Sequence, residues 1–103
     1  MGLFSFLSFG SDIKRVLRNG AVIIDVRTVY EYDQGRIKGS LNIPLDRISA
    51  SIERIKGLNK PVIFVCNSGN RSGSAIRIVK QNGLKEVYNG GSWESVLKKI
   101  NSL

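Results

Sequence analysis

Short apolar runs alternate along the chain with segments whose apolar residues recur at helical spacing. Residues 21–25 and 61–65 are almost entirely apolar, which is typical of strands buried on both faces of a sheet. Weaker strand patterns cover residues 41–43, which end at Pro44, and residues 86–88. These runs predict a central sheet of four or five short strands.

Helical patterns lie between these strands. Apolar residues fall on one face of segments that begin near residues 11, 46, 72 and 92, and residues 28–34 resemble a helical turn. Asp46 and Ser92 are suitable N-terminal caps for the second and the last of these helices. Strands and helices that alternate in this way predict βαβ units, in which helices cover both faces of a parallel sheet. The predicted fold class is a single three-layer α/β/α domain.

The predicted domain covers residues 11–103, and an apolar segment precedes it. Residues 1–10 are mainly apolar, with polar positions at Ser5 and Ser8, and they predict a short helix that packs on the domain or meets another surface. This segment is far too short to span a membrane, and it lacks the basic start and cleavage site of a signal peptide. We therefore expect a cytoplasmic protein without a membrane span.

The composition excludes several kinds of catalysis. The 103 residues include no histidine, which rules out Cys–His and Ser–His–Asp catalysis and any zinc site that needs imidazole. Cys66 is the single cysteine, so the chain cannot form an internal disulfide, a CxxC redox pair or a thiolate-ligated metal site of its own. The sequence predicts no metal and no cofactor.

The chain is strongly basic. Sixteen Lys and Arg against eight Asp and Glu give a formal net charge of +8, which attracts anionic substrates, acidic partners or nucleic acid over long range. The basic residues are spread along the chain, however, and no basic run or aromatic-interleaved motif marks a nucleic-acid reader. A solvated basic surface is the favoured interpretation, and no direct nucleic-acid contact is predicted.

The most distinctive chemistry lies where the second long apolar run ends. Cys66 directly follows this run, and a helix is predicted to begin about six residues later. Ligands of parallel α/β sheets bind beyond the carboxyl ends of the strands, where the amides of a helix N-terminus attract anions. The candidate ligand-binding residues after the cysteine are Asn67, Ser68, Gly69, Asn70, Arg71 and Ser72.

This turn should lower the pKa of the Cys66 thiol. Gly69 permits a tight backbone, Arg71 adds a permanent positive charge, and the helix dipole adds positive potential. A thiolate in such a cradle is a nucleophile suited to an anionic electrophile. The alternative is an inert buried cysteine, which the polar neighbours of Cys66 argue against.

Four ordered motifs resemble those of single-domain rhodaneses, a family of sulfurtransferase modules. Residues 25–32, with Asp-Val-Arg and then Glu-Tyr, resemble the first family signature, and residues 35–45 resemble the second. Residues 66–72 resemble the active loop, and residues 89–93 resemble the Gly-Gly/Trp segment near the end of the domain. Because the four motifs occur in order across nearly the whole chain, together they are a much more specific match to the family than any single motif would be.

The resemblance implies a ping-pong sulfur transfer. Cys66 would take a sulfur from an anionic donor such as thiosulfate, hold it as a persulfide, and pass it to cyanide, a thiol or an acceptor protein. The amides of residues 67–72 would hold the persulfide sulfur and the leaving anion, Gly69 would keep the loop close, and Arg71 would bind the donor at the rim. A monomer without a cofactor is expected to perform this reaction.

The same resemblance suggests roles for residues around the loop. Asp25 and Arg27 are expected to form a structural pair behind the loop, and support of donor binding is an alternative role for Arg27. Glu31 is expected to fix the short helical turn. Trp93 is expected to belong to the core, or else to form a wall of the pocket. Arg36 stands where the family commonly has histidine, at a position expected to be structural.

Two other classes of protein remain open from the sequence. Cysteine-dependent phosphatases and arsenate reductases also surround an anion with Cys and Arg, but their loops place five residues between the two, whereas four separate Cys66 from Arg71. Arsenate reductases usually need further thiols as well. A non-catalytic rhodanese-like binding module is the other alternative, although such modules often lack the cysteine that this chain retains.

Overall fold

The structure is a computed structural model that describes residues 9–103. The prediction for the apolar N-terminal segment therefore falls almost wholly outside the described residues. The elements, in chain order, are α1 (Phe9–Arg18), β1 (Val22–Asp25), α2 (Val29–Gln34), β2 (Leu41–Asn42), α3 (Ile52–Lys56), β3 (Val62–Cys66), α4 (Asn70–Gln81), β4 (Val87–Ser92) and α5 (Trp93–Asn101). Among the residues described, no helix is long and apolar enough to cross a bilayer.

The four strands form one parallel sheet in the order β2-β1-β3-β4. Asp25 at the end of β1 pairs with Val65 of β3, and Cys66 at the end of β3 pairs with Ser92 of β4. The carboxyl ends of three strands therefore meet at one edge of the sheet. This topology confirms the predicted parallel sheet and brings three of the four motifs to that edge.

Two apolar clusters cover opposite faces of the sheet. One packs α3 and α4 against Ile24 and Phe64, and the other packs α1 and α5 against Ile23 and Ile63. Because successive side chains of a strand point to opposite faces, β1, β3 and β4 each contribute to both clusters, and every residue of β3 is buried. This arrangement confirms the predicted three-layer α/β/α fold.

The segment between β2 and β3 differs from the prediction. Two 3-10 turns, Leu45–Arg47 and Ser49–Ser51, precede the short α3, and Asp46 makes no capping hydrogen bond. Pro44 precedes the first turn, and the Leu45 amide donates to the carbonyl of Val26, which holds this segment against the sheet. The predicted cap at Asp46 is therefore wrong, because the chain is tied to the sheet there before an α-helix can begin.

Two other boundaries also differ. The helix after Cys66 begins at Asn70 rather than near residue 72, and β4 continues to Ser92, beyond the predicted end at residue 88. Ser92 does cap α5, as predicted, since its side chain accepts a hydrogen bond from the Ser95 amide at 3.1 Å.

A bulge interrupts β4 beside the candidate site. Asn89 pairs with Phe64 and Gly91 pairs with Val65, so Gly90 is an extra residue between them. Gly90 is buried, and a Cβ atom at this position would lie 2.7 Å from a Val96 methyl and 2.8 Å from an Ile63 methyl. The sheet and α5 can therefore approach each other this closely only over a glycine.

Gly90→Ala should destabilise the protein by about 1–3 kcal/mol, because an added methyl group must displace packed side chains. The shift can be measured as a lower urea midpoint with an unchanged slope. Gly57→Ala is the matched control, since φ is −65° at Gly57 and the nearest atom to an added Cβ lies 3.4 Å away. Equal midpoints for the two variants would contradict the packing argument.

Candidate active site

Cys66 lies at the foot of a short loop between β3 and α4. It is the last residue of β3 and only 1% exposed. Gly69, which caps α4, has a φ of 97°, and a Cβ there would lie 3.4 Å from the Cα of Gly91. Both the left-handed backbone and the close approach of β4 favour glycine at this position. The structure thus places the loop where the sequence predicted it.

The loop and the start of α4 direct hydrogen-bond donors at the sulfur. The Gly69 amide donates to Sγ of Cys66 at 2.9 Å, and the Ser72 hydroxyl lies 3.5 Å from the same atom. The backbone amides of Ser68 and Ser72 also favour the thiolate and lower the pKa of the thiol. Gly69 and Ser72, two of the six predicted loop residues, therefore lie within hydrogen-bond distance of the sulfur.

The pKa of the Cys66 thiol reflects two opposing effects. Burial alone raises it, because a low-dielectric environment disfavours the charged thiolate. The Ser72 hydroxyl and the amides of Ser72, Ser68 and Gly69 stabilise the thiolate and outweigh burial, so the pKa falls below its ordinary value. The burial that could indicate an inert cysteine is thus compatible with a reactive one.

An ultraviolet titration of the thiol should give a midpoint below about 8.5, the ordinary value for cysteine. Ser72→Ala should raise this midpoint, because it removes a hydroxyl near the sulfur. Ser74→Ala is the matched control, since the Ser74 hydroxyl bonds the carbonyl of Asn70 instead. A midpoint at or above about 8.5 in the unaltered protein would count against the electrostatic cradle.

Asn89 fixes the loop from β4, a role that the sequence analysis did not assign. Its side-chain amide donates to the carbonyl of Gly69 at 3.1 Å, and its Oδ1 atom lies 2.7 Å from the Ser72 hydroxyl. The Gly91 amide donates to the same Oδ1 atom at 2.9 Å. One signal in the sequence was available: Asn89 is a polar residue between strand residues and the glycine pair that forms the bulge.

Glu31 holds the other side of the loop. Its carboxylate accepts two hydrogen bonds from the Arg71 guanidinium, at 2.7 and 3.0 Å, and one from the Asn67 side chain at 2.9 Å. It also completes the capping box with Thr28, which confirms its predicted role in the helical turn. Arg71 above all, and then the Thr28 amide, lower the pKa of Glu31 to about 2.

These contacts change the interpretation of Arg71. The guanidinium lies beside the active loop, but it is the partner of Glu31 rather than a free positive charge. Only two of its five N–H groups are used by the carboxylate, so others remain for a donor anion. Asn70, by contrast, is exposed at the first turn of α4.

Asp25 and Arg27 form the predicted pair at the carboxyl end of β1. Arg27 donates to both carboxylate oxygens of Asp25, and the shortest of these distances is 2.7 Å, from Nη2. The side chain of Arg27 is 4% exposed and that of Asp25 is 1% exposed. Arg27 also donates to the carbonyls of Glu31 and Gly35, and it stacks over Trp93 at 4.9 Å from the ring centre. The pair therefore links β1, α2 and α5 behind the loop.

Trp93 fulfils both of the roles considered for it. It packs against the cluster that α1 and α5 form on the sheet. It also lines a depression of about 260 Å³ together with Asn67 and Glu31 of the site. The ring is thus part of the core on one side and a wall of the site on the other.

Comparison with known proteins identifies the family of the chain. The rhodanese-like domain model matches residues 11–99. The uncharacterized protein YqhL of Bacillus subtilis is 39% identical over 69 residues, covering 67% of this chain and 54% of that protein. The thiosulfate sulfurtransferase PspE of Escherichia coli is 34% identical over 74 residues, or 71% of each chain. The structure of the human single-domain sulfurtransferase TSTD1 has a TM-score of 0.69 at 26% identity, covering 86% of this chain and 92% of that one.

The chain therefore belongs to the rhodanese-like domain family, and its α/β fold is that of single-domain rhodanese proteins. The resemblance inferred from the four motifs is confirmed. The chain spans about half the length of YqhL.

Proposed function

We propose that the protein is a sulfurtransferase that carries sulfane sulfur as a persulfide on Cys66. The observation that carries this proposal is the buried Sγ atom with the Gly69 amide 2.9 Å away and a lowered thiol pKa. The thiosulfate sulfurtransferase named among its relatives supports the same chemistry. No histidine is needed, because hydrogen bonds rather than a base favour the thiolate.

The first half-reaction loads the enzyme. The Cys66 thiolate attacks the outer sulfur of thiosulfate, a new S–S bond forms at Sγ, and the bond between the two donor sulfurs breaks. Sulfite leaves with that electron pair, and the charge stays on the persulfide Cys66–S–S⁻. The amide of Gly69, which already donates to Sγ, and those of Ser68 and Ser72, which favour the thiolate, are the proposed donors that stabilise this charge. Arg71 is proposed to bind the departing anion.

The second half-reaction returns the thiolate. A nucleophile such as cyanide attacks the outer sulfur, the Sγ–S bond breaks, and Sγ leaves with the electron pair as the Cys66 thiolate. One cysteine is sufficient for this cycle, and it must be reduced at the start of each turnover. A reducing compartment such as the cytoplasm is therefore the proposed location.

The size of the loop favours sulfur transfer over phosphate chemistry. Four residues separate Cys66 from Arg71, and the shorter loop suits a single sulfur atom better than a tetrahedral phosphate. The buried sulfur also lies close beneath its donors, with little room between Gly69 and the thiol. These features support the persulfide enzyme over the phosphatase and arsenate-reductase alternatives.

Intact-protein mass spectrometry tests the proposal. The reduced protein should gain one sulfur atom after incubation with thiosulfate, and cyanide should remove it while thiocyanate appears. The unloaded protein treated with cyanide alone is the control. Failure to gain sulfur from thiosulfate and also from an inorganic polysulfide, with the thiol shown to be free, would overturn the proposal.

A further inference from the structure

A groove runs along the structure beside the active loop. It has a volume of about 560 Å³ and lies between the start of α2 and the turns that follow β2. Its walls include Val29 of α2, Arg47 of the first turn and Arg54 of α3. Thr28 and Pro44 line this groove and also a neighbouring cavity whose wall includes Arg71. The groove therefore adjoins the active loop.

Two large apolar side chains at the start of α2 are exposed, and one of them borders the groove. Val29 is 58% exposed and Tyr30 is 73% exposed, and in the described part of the chain the only other exposed large apolar residue is Leu103. Val29 borders the groove, whereas Tyr30 borders the depression that Trp93 lines. Exposed apolar residues are common singly. Val29 and Tyr30 are consecutive and directly precede Glu31, whose carboxylate binds Arg71, so they give the surface beside the loop an apolar component.

The charge of the groove indicates the kind of partner. Arg47 and Arg54 are exposed, and neither forms an ion pair with a carboxylate among the residues that the structure describes. Asp46 is the one carboxylate lining the groove within that same part of the chain. The groove thus has an excess of positive charge on a protein of net charge +8. Such a surface is complementary to acidic side chains.

We propose that this groove binds an acidic segment of a partner protein that supplies the acceptor thiol of the second half-reaction. The inference rests on the proposed function. The groove is far larger than cyanide or thiosulfate needs, and the exposed Val29 in the same groove as two arginines suits a peptide with both acidic and apolar residues. A segment seated there would bring its thiol to the edge where Cys66 lies.

The transfer itself is balanced in atoms and charge. The acceptor thiolate attacks the outer sulfur of Cys66–S–S⁻, and an S–S bond to the acceptor forms. The Sγ–S bond breaks, Sγ leaves with the electron pair as the Cys66 thiolate, and the acceptor becomes a persulfide. No oxidant or reductant is consumed.

Two synthetic cysteine peptides of equal length test the proposal. Both carry the same leucine, and the cysteine is flanked by glutamates in one and by lysines in the other. Each peptide is mixed with the persulfide form of the protein at low ionic strength. The rate at which the protein loses the added sulfur is measured by intact-protein mass spectrometry. We expect the acidic peptide to react about tenfold faster than the basic one, and the difference to shrink in high salt.

Charge-reversal variants locate the effect. Arg47→Glu/Arg54→Glu should abolish the preference for the acidic peptide, while the rate with cyanide changes by less than about twofold. Arg77→Glu/Lys80→Glu, on the exposed side of α4, is the matched control with the same change in net charge, and it should keep the preference.

Each other result overturns the docking proposal. Equal rates for the two peptides, or equal loss of preference in both double variants, would remove the specific role of the groove. The groove would be assigned to nucleic acid if the two peptides reacted at equal rates and an RNA oligonucleotide inhibited the reaction of the unaltered protein but not that of Arg47→Glu/Arg54→Glu. A dimer in sedimentation that the Arg47→Glu/Arg54→Glu protein loses would assign it to a second copy. If cyanide removes the persulfide sulfur but the two peptides react equally, only the docking proposal fails and the proposed function stands. If the protein never accepts sulfur, both the proposed function and the docking proposal fail.

Discussion

Replacing Cys66 by serine should reduce the rate of sulfur transfer from thiosulfate to cyanide by at least about a thousandfold. The serine hydroxyl is not ionised at neutral pH, and its oxygen cannot hold sulfane sulfur as a persulfide. The chain contains no other cysteine to substitute for it. The measurements are the rate of thiocyanate formation and the intact mass after thiosulfate, which should show no added sulfur.

The control for this variant must separate lost chemistry from lost folding. Cys66 is 1% exposed, and a serine hydroxyl there needs a hydrogen-bond partner, so Cys66→Ala should be measured beside it. Both variants should keep the circular dichroism of the folded protein and a cooperative unfolding transition. Sulfur transfer that persists in either folded variant would show that the assigned nucleophile is wrong.

The fold could be predicted from the sequence because its strongest signals are local. Residues 61–65 show the continuous apolar pattern of a strand buried on both sides, and the structure buries every residue of β3. Cys66 ends that strand, so the edge of the sheet where it lies followed directly from the parallel topology. The helical turn at residues 28–34 was likewise visible, since Thr28 and Glu31 have the spacing of a capping box.

The contacts that complete the site could not be predicted in the same way. Glu31 and Arg71 are 40 residues apart, and no local pattern states that the carboxylate reaches across to the loop. Arg71 was therefore predicted as a permanent charge that binds the donor, with no carboxylate partner assigned, although two of its five N–H groups bind Glu31. Asn89 reaches Gly69 from β4, directly before the bulge at Gly90, and a side chain at Gly90 would collide with Val96. Both contacts join segments far apart in the sequence. The failed cap at Asp46 has the same origin, in a tertiary hydrogen bond that fixes Leu45.

Replacing Asp25 by alanine should destabilise the protein by about 3–5 kcal/mol, because it leaves the buried Arg27 guanidinium without its counter-charge. Arg27 is 4% exposed at its side chain, so water cannot replace the lost carboxylate without local unfolding. Urea denaturation should show a much lower midpoint. Asp12→Ala removes a carboxylate from the exposed pair with Arg15, and it should cost less than about 1 kcal/mol.

A double variant distinguishes the unpaired charge from the loss of contacts. Asp25→Ala/Arg27→Met removes both charges, so it should be more stable than Asp25→Ala alone. Recovery should be incomplete, because Arg27 also donates to the carbonyls of Glu31 and Gly35 and stacks over Trp93. If the double variant were no more stable than Asp25→Ala, the cost would lie in those lost contacts, and the buried charge would not be its cause. Since the same carbonyls belong to the helix that presents Glu31, the remaining loss should also weaken the hold on the active loop.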